Sequence, residues 1–113
     1  MSCIFCQIVK GEIPAQIVYK DEDLVAFKDI NPQSPVHILI IPRRHIANLT
    51  ELDEADTELA GKMILLAGKL AREMDIAESG YRLVINSGRE GGQVVNHLHL
   101  HLLGGRQLGG QLG

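Results

Sequence analysis

The stretch Asn96-His97-Leu98-His99-Leu100-His101-Leu102-Leu103 alternates imidazole and leucine over six positions. Side chains on a β-strand point to opposite faces with a period of two, so His97, His99 and His101 share one face and Leu98, Leu100 and Leu102 the other. The leucine face suits a core, which leaves the histidine face toward a cleft or solvent. Buried imidazoles need hydrogen-bond partners, so a strand that served only packing has little reason to carry three. Three readings fit the spacing. Neutral imidazoles on one face can converge on a divalent metal. One imidazole can instead attack phosphorus while its neighbours steer protons, since a reference pKa of about 6.5 leaves the ring mostly neutral at pH 7. The third reading is a row of surface histidines.

Working outward, the loop Asn86-Ser87-Gly88-Arg89-Glu90-Gly91-Gly92 lies just before the histidine strand. Its glycines can turn backbone N–H groups toward phosphate oxygens, and Asn86 can add a side-chain donor. Alone the loop is an ordinary hairpin turn; beside three imidazoles it favours a phosphorylated substrate. The pattern predicts strands at Tyr81–Asn86 and Val94–Leu103 around this loop, with earlier strands at Ile17–Lys20, Leu24–Lys28 and His37–Ile41. A short helix is expected at Ile4–Val9. Residues 50–75 carry the one long helical signal. Thr50 and Asp53 are candidate N-caps, and Leu52, Leu59, Met63, Leu66, Leu70 and Met74 form one apolar stripe. The order β-β-β-α-β-β predicts an α+β fold with an antiparallel sheet. Ile64, Ala67 and Ala71 flank the stripe, which leaves an apolar face for a two-fold partner.

The 113 residues suit a single domain spanning 1–113, with 104–113 a glycine-rich, mobile tail. Apolar residues make up 45% and charged residues 22%, which argues against disorder. A net charge of −3 gives no bulk electrostatic grip on nucleic acid. No apolar run approaches the roughly 18 residues needed to cross a bilayer. The N-terminus lacks the basic and apolar regions of a signal peptide, so a reducing cytoplasm is expected. Two cysteines are too few for a disulfide framework. Their spacing, Cys3-x-x-Cys6, makes them free thiols or soft metal ligands.

These residues have a familiar pattern. His97-Leu-His-Leu-His101-Leu-Leu resembles the signature of the histidine triad (HIT) superfamily, and the likeness runs through the chain in order. Ile4-Phe5-Cys6, Gly11-Glu-Ile-Pro-Ala15, Asp29-Ile30-Asn-Pro-Gln, Pro35-Val-His37, Ile41-Pro-Arg-Arg-His45-Ile46, Gly80-Tyr-Arg-Leu-Val-Ile-Asn86 and Gly91-Gly-Gln93 all fit its Hint-like branch. The resemblance implies a five-stranded antiparallel sheet with one long and one short helix, pairing into a homodimer through a continuous sheet. It implies hydrolysis of purine nucleoside 5′-phosphoramidates or aminoacyl adenylates, with an AMP-like ligand and no cofactor needed for catalysis. His99 would attack the α-phosphorus, His101 would bond the phosphate and His37 would support the active face. Asn86 and the Gly92-Gln93-Val94 backbone would hold phosphate oxygens, and Asp29 the ribose hydroxyls. Ile4, Phe5, Ile8, Phe27 and Ile30 would sandwich the base, although each suits an ordinary core equally well.

The same resemblance bears on the cysteines. Some bacterial HIT proteins pair such a Cys-x-x-Cys with the histidine after Ile-Pro-x-x and with the first triad histidine. Here that gives Cys3, Cys6, His45 and His97 as a structural zinc set, against the plain reading of buried thiols and a surface histidine. Two departures stand out. Many Hint-like members carry a serine after Gly-Gly-Gln where this chain has Val94, which has no hydroxyl for the leaving amine. The tail Leu108–Gly113 also lacks the tryptophan and prolines of many relatives, which puts substrate choice in question. A nucleotide-binding scaffold with vestigial catalysis is the competing function.

Overall fold

The computed structural model describes residues 3–112; Met1, Ser2 and Gly113, the ends of the expected domain and tail, lie outside the described residues. The elements follow as α1 (Ile4–Val9), β1 (Ile17–Lys20), β2 (Leu24–Lys28), β3 (Val36–Pro42), α2 (Thr57–Glu73), β4 (Tyr81–Val84) and β5 (Leu100–Gly104). All five strands join one antiparallel sheet in the order β1-β2-β3-β5-β4. The expected α+β class and the five-stranded antiparallel sheet are therefore present, with β1 paired to β2 and β4 to β5.

Alternation along the central strands sorts their side chains into two layers. Leu24, Ala26, Ile38, Ile40, Leu100 and Leu102 pack against Met63, Leu66, Ala67 and Leu70 of α2. Val25, Phe27, Leu39 and Ile41 face the opposite way, onto Phe5 and Ile8 of α1. A six-residue helix is not stable by itself in water. Burial of Phe5 and Ile8, worth about 1.5–3 kcal/mol each, is what holds α1 on the sheet.

The long helix is shorter than the 50–75 expected. It begins at Thr57, after two separate 3₁₀ turns at Leu49–Glu51 and Glu54–Asp56. Thr50 is not an N-cap: the Asn48 side chain accepts from its amide at 3.0 Å. Asp53 caps the second 3₁₀ turn, forming a capping box with Asp56. These side-chain acceptors compete for backbone amides and keep Leu52 and Asp53 extended. Leu52 still packs on the α2 cluster, which is why the apolar period ran past the helix. Ala67 and Ala71, expected to flank a partner face, lie inside this core; Ile64 and Leu65 stay exposed at 57% and 74%.

The histidine strand is also shorter than expected. β5 starts at Leu100 rather than Val94, and β4 ends at Val84 rather than Asn86. β3 pairs with β5 only over Val36–Ile40. Ahead of Leu100 the main chain bonds elsewhere, with the His97 amide donating to Val95 O at 2.9 Å and the Leu98 amide to Ile46 O at 2.7 Å. Only His101 of the three is in the ladder. Leu98 nonetheless joins the α2-side core, so the two-sided division of the segment persists beyond regular pairing.

Candidate active site

On the sheet face that carries α1 lies a cleft of about 460 Å³, lined mainly by apolar side chains. His37, His99 and His101 reach it, with Asp29, Phe5, Ile8, Phe27, Ile30, Gly92 and Val94 around them. Phe5 packs edge-on against His99, with ring centroids 5.2 Å apart, and against Phe27 at 5.5 Å. Ile30 is 97% exposed and Val94 90% exposed, so both form the lip of the cleft.

Hydrogen-bond partners assign the protons on each ring. His99 Nδ1–H donates to the His97 carbonyl at 2.7 Å, which leaves the Nε2 lone pair for the cleft. The Gln33 amide donates to His37 Nδ1 at 3.0 Å, so His37 carries its proton on Nε2. That Nε2–H donates to His101 Nδ1 at 2.9 Å, with the Asp29 carboxylate 3.4 Å away. His101 is therefore protonated on Nε2 and presents a donor to the cleft. One imidazole offers a lone pair and its neighbour a proton. Burial, then the neighbouring His99 and His37 rings, hold His101 down to about 4, and burial lowers His37 against the pull of Asp29. Both rings are neutral at pH 7, as these bonds require.

Asn86 and Gln93 are placed differently from the residues that touch the cleft. Asn86 Nδ2 donates to Gly91 O at 2.8 Å, beside Gly92. The Gln93 side chain accepts from the Gly88 amide and donates to Ala47 O and Val95 O, so it braces the loop from behind. Neither side chain lines the cleft, whereas Gly92 and Val94 do.

His97 turns away from the cleft and is fully buried. Its Nε2–H donates to Pro42 O at 2.8 Å, so Nδ1 carries a lone pair aimed at the other cluster. From Nδ1 the distances are 3.4 Å to Cys3 Sγ, 3.6 Å to Cys6 Sγ and 3.2 Å to His45 Nδ1, while Cys6 Sγ lies 3.4 Å from His45 Nδ1. A tetrahedral zinc with bonds of about 2.3 Å to sulfur and 2.05 Å to nitrogen has S···N edges of about 3.6 Å and N···N edges of about 3.3 Å. The donor set fits the ion in type and spacing. The Pro42 carbonyl bond is the outer-shell support that fixes a ligating imidazole's tautomer. Burial, then the Cys3 thiol, push the Cys6 thiol up, so its thiolate form calls for a cation beside it.

The HIT domain profile matches residues 10–108. The chain belongs to the HIT domain family. This HIT chain is 50% identical over 109 residues to the purine nucleoside phosphoramidase of Escherichia coli K12, an alignment covering 96% of this chain and 92% of that protein. Among solved structures, a HIT family hydrolase from Legionella pneumophila Philadelphia 1 superposes with a TM-score of 0.97 at 49% identity, covering 99% of this chain and all of that one. A HIT family hydrolase from Clostridium thermocellum gives 0.95 at 49% identity, covering 98% and 96%.

Sequence reasoning missed several residues of the cleft. Val95, Leu39 and Lys28 line the cleft through ordinary strand and loop positions that carry no motif. The Gln33 amide, which sets the His37 tautomer, is a main-chain group and invisible in side-chain patterns. Among the described residues, no helix is long and apolar enough to cross a membrane.

Proposed function

We propose that this protein is a histidine triad nucleotide hydrolase cleaving the P–N or acyl-phosphate bond of purine nucleoside 5′-phosphoramidates or aminoacyl adenylates. The carrying observation is the complementary pair of cleft nitrogens, a lone pair on His99 and a donor on His101. His99 Nε2 attacks the α-phosphorus, an Nε2–P bond forms and the bond to the leaving group breaks. His101 Nε2–H bonds a phosphate oxygen as its charge grows. Water then attacks the same phosphorus, the Nε2–P bond breaks, and nucleoside monophosphate leaves with His99 neutral again. No metal or organic cofactor takes part in these steps.

Asp29 holds the ribose hydroxyls with the acceptor capacity left after the Asn31 amide takes Oδ1 at 2.8 Å. Phe5, Phe27 and Ile30, with Ile4 and Ile8, enclose a purine, and the Gly92-Gln93-Val94 backbone, steadied by Asn86, meets the phosphate. Val94 has no hydroxyl, so the leaving nitrogen draws its proton from water at the open lip. That feature also favours the second reading, a nucleotide-binding scaffold with weak catalysis. Cys3, Cys6, His45 and His97 hold a structural zinc outside the reaction. The chain works as one domain in the cytoplasm and pairs with a second copy. The edge strand β4 and the exposed Ile64 and Leu65 support that pairing.

Incubation with adenosine 5′-phosphoramidate or an aminoacyl adenylate, quenched and read by mass spectrometry, tests this. One nucleotidyl group on His99, with turnover, is expected. Tight AMP binding with neither adduct nor turnover leaves the scaffold reading in its place.

A further inference from the structure

The segment after β5 lies across the loop joining β2 to β3. Gly105 is so close to Pro35 that an added Cβ would sit 2.9 Å from the proline Cβ, and its φ of +93° is one that L side chains rarely adopt. The next residue, Arg106, directs Nη2 and Nε to the Gln33 carbonyl at 3.0 and 3.3 Å, and Nη1 to its neighbour's carbonyl, Gln107 O, at 3.1 Å. Gln33 is also the residue whose amide fixes the His37 tautomer. One residue is thus tied at both ends, its N–H to the triad's supporting imidazole and its C=O to the tail. The other hydrogen bonds of the loop lie within it or close its base, from the Asp29 amide to His37 O, from the Asn31 amide to Asp29, from Gln33 Nε2 to Asn31 O and from Ser34 to Val36 O. The guanidinium fork is therefore its long-range anchor, and a planar pair of donors on one carbonyl holds direction as well as distance.

We propose that Arg106 is a positioning residue which, through Gln33, keeps His37 and His101 in the tautomers that turn a proton toward the cleft. When the Gln33 amide drifts from His37 Nδ1, that nitrogen can take the proton and Nε2 becomes an acceptor. His101 must then carry its own proton on Nδ1 and face the cleft with a lone pair. The number of protons on the pair is unchanged; their direction is reversed. A phosphate oxygen then meets a lone pair where it needs a donor. Asp29, 3.4 Å from His37 Nε2, favours the productive tautomer independently, so losing Arg106 shifts the balance rather than inverting it. The effect on rate rests on the hydrolase reading above; the effect on the rings does not.

The test is long-range ¹H–¹⁵N spectroscopy of the full chain at pH 7.5, read beside kcat/KM for adenosine 5′-phosphoramidate. In the unsubstituted protein, His37 and His101 are expected with the proton on Nε2. Arg106→Ala and, by a separate route, Gly105→Ala should each show a second population protonated on Nδ1. Their kcat/KM should fall about fivefold, the size of one ordinary hydrogen bond lost. Arg106→Lys, which keeps one donor, should recover part of both signals. Arg82→Ala frees the tail only at Gly109 O and should change neither. Ring shifts unchanged in both alanine variants overturn the proposal, whatever the rate does. Shifted rings with unchanged turnover overturn its link to the reaction. If the unsubstituted protein has no turnover, the hydrolase reading fails, and the ring spectra still decide the relay.

Discussion

His97 and His99 are two residues apart, yet their rings are anchored at opposite nitrogens. His97 is bound through Nε2 to Pro42 O and turns Nδ1 onto Cys3, Cys6 and His45. His99 is bound through Nδ1 to His97 O and leaves Nε2 for the cleft. An imidazole has two nitrogens, and the main chain decides which one is free by occupying the other. On the proposed function, the same residue type thereby serves as a metal ligand at one end of a segment and a nucleophile at the other.

The sharpest break between the two clusters is His99→Ala. Turnover should fall by at least roughly a thousandfold, as expected for loss of a nucleophile, with the thermal midpoint nearly unchanged. Equal loss of activity and stability would erase the distinction between chemical and structural imidazoles. Cys6→Ser should do the reverse. The protein as purified should hold about one zinc per chain by metal analysis. The substitution or a strong chelator should lower Tm by about 10 °C or more, given the usual affinity of such sites. The residual folded enzyme should keep kcat within about tenfold, since this cluster reaches His99 through the His97 carbonyl and Phe5 and not at the reacting nitrogen. Zinc well below one equivalent after gentle purification would remove the metal from the comparison.

Smaller effects refine the cleft side. Asp29→Asn should raise KM for an adenosine phosphoramidate about tenfold, in line with loss of charge-assisted bonds, with less effect on kcat. An unchanged KM would take Asp29 out of ribose binding. The smallest effect is on stability against pH. His101 is held near 4 in the fold by burial, then by His99 and His37, and returns to about 6.5 when unfolded. Its contribution is complete above about 6.5 and is lost as pH falls toward 4, because the unfolded chain takes up the proton first. Replacing His101 with Gln should flatten that part of a Tm–pH curve; an unaltered slope would mean the ring is not held neutral.

Where the sequence was legible, a local signal and the tertiary environment agreed. The strands at Ile17–Lys20 and Leu24–Lys28 have the expected ends, because a β-branched, apolar run is stopped by charged or turn-forming residues on each side. The apolar period overstates helix 57–73 because Leu52 packs on the core without being helical. The histidine segment looks like one strand in the sequence because alternation reports which way side chains face and not whether the backbone is paired. The grouping of Cys3, Cys6, His45 and His97 came from family resemblance, since no local pattern joins positions so far apart. The Gln33 and Arg106 contacts had no such aid, being bonds to and from the main chain.

The alternation that marks the site also carries an ambiguity. A two-residue repeat returns to itself when slid by two, so such a slip would keep leucines in the core and exchange the places of neighbouring histidines. What makes the register unique lies at its ends. Sliding either way would bring Leu102 or Arg106 to the place of Gly104, where even a Cβ would fall 2.7 Å from Ile76 Cδ1. At the other end, the slip that brings Leu102 forward also brings Val95 to the place of His97, where the Pro42 carbonyl and the two sulfurs call for an imidazole. The glycine and the thiols together act as the proofreading of a degenerate repeat, and which histidine faces the cleft depends on them.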